Sequence, residues 1–498
     1  MNEQNKKNLT LECRDLLSAQ SLASLRSVGR WIGVASPTSL KKGELIDGII
    51  AIMVEDSPAQ ARSGRGAPVL DDRLDSKIVE DLERLKAKYN DHVLRPRDLE
   101  KIDYHLDERI QEMQKEKNVF ELRSFEKFEF NKDGTPRVFK GQLATHNSVS
   151  FLLPLDYVND MEKMLFPIEF IRRYELKDGD VIACNARREG EIAVVTRIVE
   201  INGISPDFFH RGTSFEEANV RYPVGRIKVF DKNASPSLTA KYMEWVVPFG
   251  RGNRGLLIAP PTTGKTSFLE KIAAGAAALN ADVTTLVLLV DQSPETVAQF
   301  RKVLSKDTLI YSTYEDEPER QVFVADCILK RAKRLAECGR DVLLIVDSFN
   351  TLAHAYNETK QSSGGKMLPC GLESKTVNYI KKYFGSARCL ASGGSLTILG
   401  SVSNGTGNPA DDLIVSEVSS ISNLEIRLNE DFAVKRIFPA VDKHSVYVKF
   451  NEAEGYGESE ILALLRGLED ARLSDVGFLE KLENAQSYQE FLISLQKI

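Results

Sequence analysis

Eight consecutive residues, Ala259-Pro-Pro-Thr-Thr-Gly-Lys-Thr266, have the composition of a phosphate cradle. The spacing is that of a P-loop, with Ala in place of the first Gly. Successive backbone N–H groups of such a loop form an anion nest, and the helix that follows adds the positive end of its dipole. In this pattern Lys265 reaches the β- and γ-phosphates of a nucleoside triphosphate, and the hydroxyl of Thr266 holds Mg²⁺. Thr262, Thr263, Gly264 and Ser267 complete the loop. A second element, Asp341-Val-Leu-Leu-Ile-Val-Asp347, is an apolar run that ends in a carboxylate. In an open α/β sheet, ligands sit at the C-terminal ends of the strands. Asp347 then either shares the metal, through water, or caps the next helix; the P-loop nearby favours the metal. Gly250-Arg251-Gly252-Asn253-Arg254-Gly255, just before the loop's strand, is a weaker candidate for nucleotide contact.

These residues need a scaffold that delivers them to one edge. From residue 246 to about 450, apolar β-type runs alternate with helical stretches: Gly255–Ala259, Thr285–Val290, Asp341–Val346 and Ser395–Gly400. Such alternation predicts a parallel sheet with helices on both faces. The P-loop should follow the first of these strands and open a helix over Ser267–Ala278. The tail, 458–498, reads as amphipathic helix. Upstream, 119–205 holds short strands (Phe139–Thr145, Ser150–Leu153, Val181–Cys184, Ile192–Ile198), with a turn at Lys177-Asp-Gly-Asp. Short strands joined by turns predict a small β-barrel such as an OB-fold. Residues 206–245 form a connector. Residues 1–56 read as a helical module, with Leu22, Leu25, Val28 and Ile32 at helical spacing and Gly33 placed to stop that helix. A Pro-, Gly-, Ser- and Arg-rich stretch opens a charged insert at 57–118, where Leu74, Ile78, Leu82 and Leu85 mark a solvated helix. The expected fold class is multidomain α/β.

The 498 residues carry a net charge of −6, so RNA or any other polyanion must be met by a local groove or a ring lumen. The six cysteines show no metal-like spacing, which suits reduced thiols in a cytoplasm. The first residues have no signal-peptide stretch, and no apolar run of about 18 residues occurs, so no membrane span is expected.

The stretch 250–267 (GRGNRGLLIAPPTTGKTS) closely resembles the nucleotide site of the transcription termination factor Rho family, including its Ala-Pro-Pro start. Residues 341–357, 383–401 and 435–442 add matches in the same order, and 22–50 and 167–188 resemble that family's helical module and cold-shock-like barrel. The resemblance implies an ATP- and Mg²⁺-using homohexameric ring of RecA-like domains. It further implies that single-stranded RNA is held by the barrels and in the channel, and that translocation runs toward RNA polymerase. Phe438 then matches an adenine-stacking aromatic, or is a core Phe. Lys366 matches a basic channel-loop position, or is a solvated charge. Phe151 matches a base-stacking aromatic of the barrel, or is barrel core.

The departures from that family fall on chemistry. Gln292 stands where an acid polarises the attacking water; an amide orients water but takes no proton. Asp291 and Glu295 lie near enough in sequence to substitute, although strand end and first helical turn are their simpler roles. Ser293 replaces an Arg, as do Thr351 and His354. Lys449 falls near the position of the trans-acting arginine finger, and a Lys offers one point charge without the bidentate fork. Val149 and Met164 replace barrel aromatics. The second channel loop has lost its basic residue and carries Asp411-Asp412. Two functions follow: an RNA-dependent ATPase and translocase of the Rho type, or a ring that binds ATP and RNA, hydrolyses little, and regulates or joins an active Rho.

Overall fold

The computed structural model describes residues 3–32, 34, 37, 39–54, 77–79, 81–82, 138–146, 149–155, 157, 164–189, 192–360, 367–442, 444–448, 460–467 and 473–498. They fall into two compact units, one built on 1–101 with 196–198 and 205–208, the other on 102–195, 199–204 and 209–498. In the first unit, α1 (Glu3–Ser18), α2 (Leu22–Ile32) and α3 (Lys42–Val54) enclose Leu9, Cys13, Leu17, Leu25, Val28, Leu45 and Ile49, all fully buried. Ile78, Val79 and Leu82 belong to the same apolar cluster. The apolar stripe expected on a solvated insert is therefore partly core; Leu74 and Leu85 lie outside the described residues.

In the second unit, β1 (Phe139–His146), β2 (Val149–Pro154), β3 (Met164–Leu165), β4 (Val181–Glu189) and β5 (Ile192–Ile201) close a barrel in the order β1-β2-β3-β5-β4. A short helix, α4 (Ile168–Tyr174), follows β3. Next come β6 (Val220–Arg221), β7 (Val224–Arg226), α5 (Leu238–Trp245) and β8 (Gly250–Arg251). Then β9 (Arg254–Ala259), α6 (Lys265–Leu279), β10 (Val283–Gln292), α7 (Pro294–Phe300), β11 (Leu309–Thr313), α8 (Pro318–Glu337), β12 (Asp341–Asp347) and α9 (Phe349–Lys360) alternate. After α10 (Ser374–Phe384) come β13 (Arg388–Leu390), β14 (Ser395–Ser403), α11 (Pro409–Ile421), β15 (Leu424–Arg427), α12 (Glu430–Val434) and β16 (Val446–Val448).

The main sheet runs β11-β10-β12-β14-β9-β15-β16, parallel except for β16. Period-two alternation sends Leu286, Leu288 and Val290 of β10 into one buried cluster and Val283, Val287 and Leu289 into the other. Helices cover both faces, so every central strand is a nearly unbroken apolar run. Among the described residues the tail holds three helices, α13 (Glu460–Gly467), α14 (Asp475–Asn484) and α15 (Tyr488–Gln496). Ser474 and Ser487 restart it, their hydroxyls accepting from the N–H of Gly477 and Glu490.

The barrel is joined to α8 by buried polar groups. Gln142 Nε2 donates to the Cys327 carbonyl at 2.9 Å. The Arg211 guanidinium lies between two buried carboxylates, bonding Asp180 and reaching Glu337 at 2.9 Å.

Candidate nucleotide-binding site

The P-loop lies between the C-terminal end of β9 and the start of α6, which begins at Lys265, two residues before the predicted Ser267. Thr262 (φ 66°) and Gly264 (φ 86°) adopt the left-handed conformation that curls the loop. The Thr263 hydroxyl closes the loop internally, donating to the Pro260 carbonyl at 2.7 Å. Thr262 and Ser267 are exposed on its rim. A Cβ on Gly264 would stand 3.2 Å from the Phe438 ring, so that ring lies on the loop, about half exposed (52%). A flat apolar face beside a phosphate cradle can receive a nucleobase, and its exposure removes the core alternative.

β12 delivers Asp347 to the same edge, fully buried. Its carboxylate accepts from the Thr266 hydroxyl at 2.7 Å and from the Ser401 hydroxyl at 2.7 Å, and lies 3.2 Å from Lys265 Nζ. A buried carboxylate needs such partners, and two hydroxyls with an ammonium supply them. The set fits a Mg²⁺–triphosphate. Thr266 and Asp347 are hard oxygen donors, and Lys265 is a movable cation. Mg²⁺ keeps most of its shell as water and phosphate oxygen.

Gln292 ends β10 beside Asp347. Its Nε2 donates to the carbonyls of Val290 at 3.3 Å and Asp347 at 3.5 Å. Asp291 occupies the strand end, at φ 56°, where partial burial raises its carboxyl pKa against a hydrogen bond from Gln321. Glu295 is in the first turn of α7, held low by a backbone hydrogen bond and by Ser293. Ser293 caps that helix, its hydroxyl accepting from Thr296 N–H at 3.2 Å. Thr351, where the resemblance expects Arg, bonds the carbonyls of Ser348 at 2.9 Å and Val290 at 3.2 Å.

The structure does not bring Gly250, Arg251, Gly252, Asn253, Arg254 and Gly255 to this site. Arg254 and Gly255 open β9, while the P-loop follows its far end, five residues or about 16 Å away. The Arg251 guanidinium pairs with Asp341 and Asp282, at the starts of β12 and β10. Asn253 bonds Asn423 at 3.1 Å, and Arg254 donates to the Ile421 carbonyl at 2.7 Å. The segment fastens the opposite edge of the sheet and leaves the nucleotide list. Asp411 is also corrected: it is buried, not a channel charge, and accepts from Asn350 (2.8 Å), Thr406 (2.8 Å) and His354 (2.9 Å). In the barrel, Phe151 is half-buried on β2 between Ala144 and Leu165, while Val149 and Met164 are buried. Lys366 and Lys449 lie outside the described residues.

Sequence reasoning missed Ser401, Ser403 and Asn350. Ser403 Oγ accepts from Lys265 Nζ at 3.2 Å, and Asn350 binds the Ser403 backbone. A signal was present: β14 is a largely apolar strand whose last three residues read Ser-Val-Ser. Their role depends on β14 lying between β12 and β9, which no local pattern reveals.

Sheet, loop and carboxylate together define a P-loop ATPase-type α/β domain. Residues 240–447 match the ATP synthase alpha/beta family, nucleotide-binding domain. Three curated relatives are each described as transcription termination factor Rho. One, from Karelsulcia muelleri, is 31% identical over 355 residues, covering 68% of this chain and 91% of the relative. One from Pseudomonas fluorescens biotype C is 34% identical, covering 66% and 80%. The third, from Escherichia coli K12, is 36% identical, covering 55% and 65%. The chain belongs to the transcription termination factor Rho family.

Proposed function

We propose that this chain works as an ATP- and Mg²⁺-dependent, single-stranded-RNA-binding ring, a homohexamer that translocates on RNA and acts on the transcription complex in termination. The carrying observation is the convergence of Lys265 and Thr266 on Asp347, a complete set for holding a Mg²⁺-bound triphosphate. Bound Mg²⁺ would neutralise phosphate charge. Around it, Lys265 draws the terminal phosphates, the Phe438 face receives the base, and Gln292 orients water. On this reading the five-stranded barrel is the cold-shock-like RNA site with Phe151 as a stacking group, and the N-terminal helices are the family's module. Lys366 serves as a channel contact, Lys449 stands at the finger position, and the protein is cytoplasmic. Among the described residues no helix is long and apolar enough to cross a membrane.

A second reading is favoured by Gln292. Its amide gives hydrogens to two carbonyls and offers no basic oxygen to the proton of an attacking water. The ring then holds ATP and RNA but hydrolyses slowly, as a regulator or mixed-ring partner of an active Rho. Phosphate release by the purified chain with saturating single-stranded RNA, beside Lys265→Ala, separates the two. Turnover well above that variant supports the motor. Turnover equal to it, with ATP still bound by the wild type, supports the binding ring.

A further inference from the structure

We propose that Ser403 is a γ-phosphate ligand and that Asn350 is the residue that positions it, a proposal that rests on the nucleotide-site reading above. Ser403 ends β14 and pairs with Ala259, the first P-loop residue, on neighbouring β9. The strand end therefore stands level with the cradle. Lys265 Nζ lies 3.2 Å from Ser403 Oγ and 3.2 Å from Asp347 Oδ1. A serine hydroxyl accepts through two lone pairs and donates one hydrogen. The lysine occupies one lone pair, and among the described residues nothing accepts the hydrogen. A P-loop lysine that reaches the β- and γ-phosphate oxygens brings the γ-oxygens within one hydrogen bond of that hydroxyl.

Ser403 is only half-buried and leads into the exposed stretch Gly405–Pro409, so something must fix its backbone. Asn350, itself buried, does so from both sides. Its Oδ1 accepts from Ser403 N–H at 2.9 Å, and its Nδ2 donates to the Ser403 carbonyl at 3.2 Å. The same Nδ2 donates to Asp411 Oδ1 at 2.8 Å, and Asp411 also gathers Thr406 and His354. Asn350 thus ties the strand end to the helices α9 and α11, and the hydroxyl is held where the γ-phosphate arrives.

ADP lacks the γ-phosphate, so the proposal predicts an ATP-against-ADP split. Calorimetric titration of the full chain with the Mg²⁺ complexes of the β,γ-imido analogue of ATP and of ADP reads it directly. In Ser403→Ala the triphosphate affinity should fall about tenfold, the scale of a lost hydrogen bond to a charged group, with ADP affinity unchanged. Ser403→Thr should restore the triphosphate affinity. Asn350→Ala should give the same split as Ser403→Ala. Equal losses for both nucleotides, or no loss for the triphosphate, would overturn the assignment of Ser403. A wild-type chain that binds neither nucleotide would overturn the nucleotide-site reading itself, and Ser403 with it.

Discussion

Gln292→Glu should raise turnover. The wild-type amide nitrogen lies 3.3 and 3.5 Å from the carbonyl oxygens of Val290 and Asp347, longer than the usual 2.9–3.0 Å for such bonds. Little holds the side chain there, and surrendering these contacts costs on the order of 1 kcal/mol or less. A carboxylate in the same place cannot donate to two carbonyl oxygens; it is repelled by them and turns away from them. It can then accept the proton that the amide cannot. General-base help is worth roughly 10²–10⁴ in rate, or about 3–5 kcal/mol of barrier. Steady-state phosphate release at saturating Mg·ATP and single-stranded RNA tests this, with Lys265→Ala and the double variant as controls. The expected result is a kcat at least about a hundredfold above wild type, abolished in the double variant. A kcat within a few fold of wild type, with nucleotide and RNA affinities unchanged, would refute the reasoning. The defect would then move to position 449, where a lysine stands without the guanidinium fork.

Four further outcomes follow from the same contacts. Lys265→Ala should cost the chain most of its Mg·ATP affinity by calorimetry, and should also loosen Asp347, which loses its one ion-pair partner among the described residues. Arg211→Met takes the cation from the buried Asp180, while Glu337 keeps Arg334 at 3.1 Å, and should destabilise the second unit by up to about 3 kcal/mol; an unchanged thermal transition would remove Arg211 from the joint. Burial pushes the Asp411 carboxyl up, but hydrogen bonds from Asn350, Thr406 and His354 outweigh it and hold the pKa below the ordinary value. The resulting stability is present above the unfolded pKa, about 4, and is lost as pH falls through the lower folded value. Urea midpoints from pH 5 to 3 should accordingly fall more steeply in wild type than in Asp411→Asn. Burial pushes the Cys184 thiol up to about 12 and raises that of Cys327 further. Iodoacetamide at pH 8 should spare both in the native chain and reach them in urea, as mass spectrometry would show.

Local pattern carried much of the fold and half of the site. Runs such as 342–346 are apolar throughout because both faces of the strand are covered, and they were legible for that reason. The P-loop was legible because its chemistry is contiguous in sequence. β15 and β16 were not: Leu424–Arg427 and Val446–Val448 are four and three residues long, and become strands only by pairing at the sheet edge. Asp411 misled because a carboxylate in a loop reads as solvated charge. Its partners Asn350 and His354 come from a helix far back in the chain, and only packing sets them around it.

The displaced Gly250–Gly255 segment makes the same point about direction. Its glycines and arginines suit a phosphate site by composition, and it adjoins the P-loop strand in sequence. But a parallel strand has a polarity, and a residue before β9 stands at the edge where β10 and β12 begin. There the open carboxylates are those of Asp282 and Asp341, and Arg251 answers them. Gly252, at φ 82°, fits because a Cβ would come within 2.8 Å of the Cys389 backbone nitrogen. Both the arginine and the glycine are thereby explained by closing the sheet's lower edge. Arg251→Met should then lower stability and leave Mg·ATP affinity unchanged, and a loss of nucleotide affinity at unchanged stability would return the segment to the site.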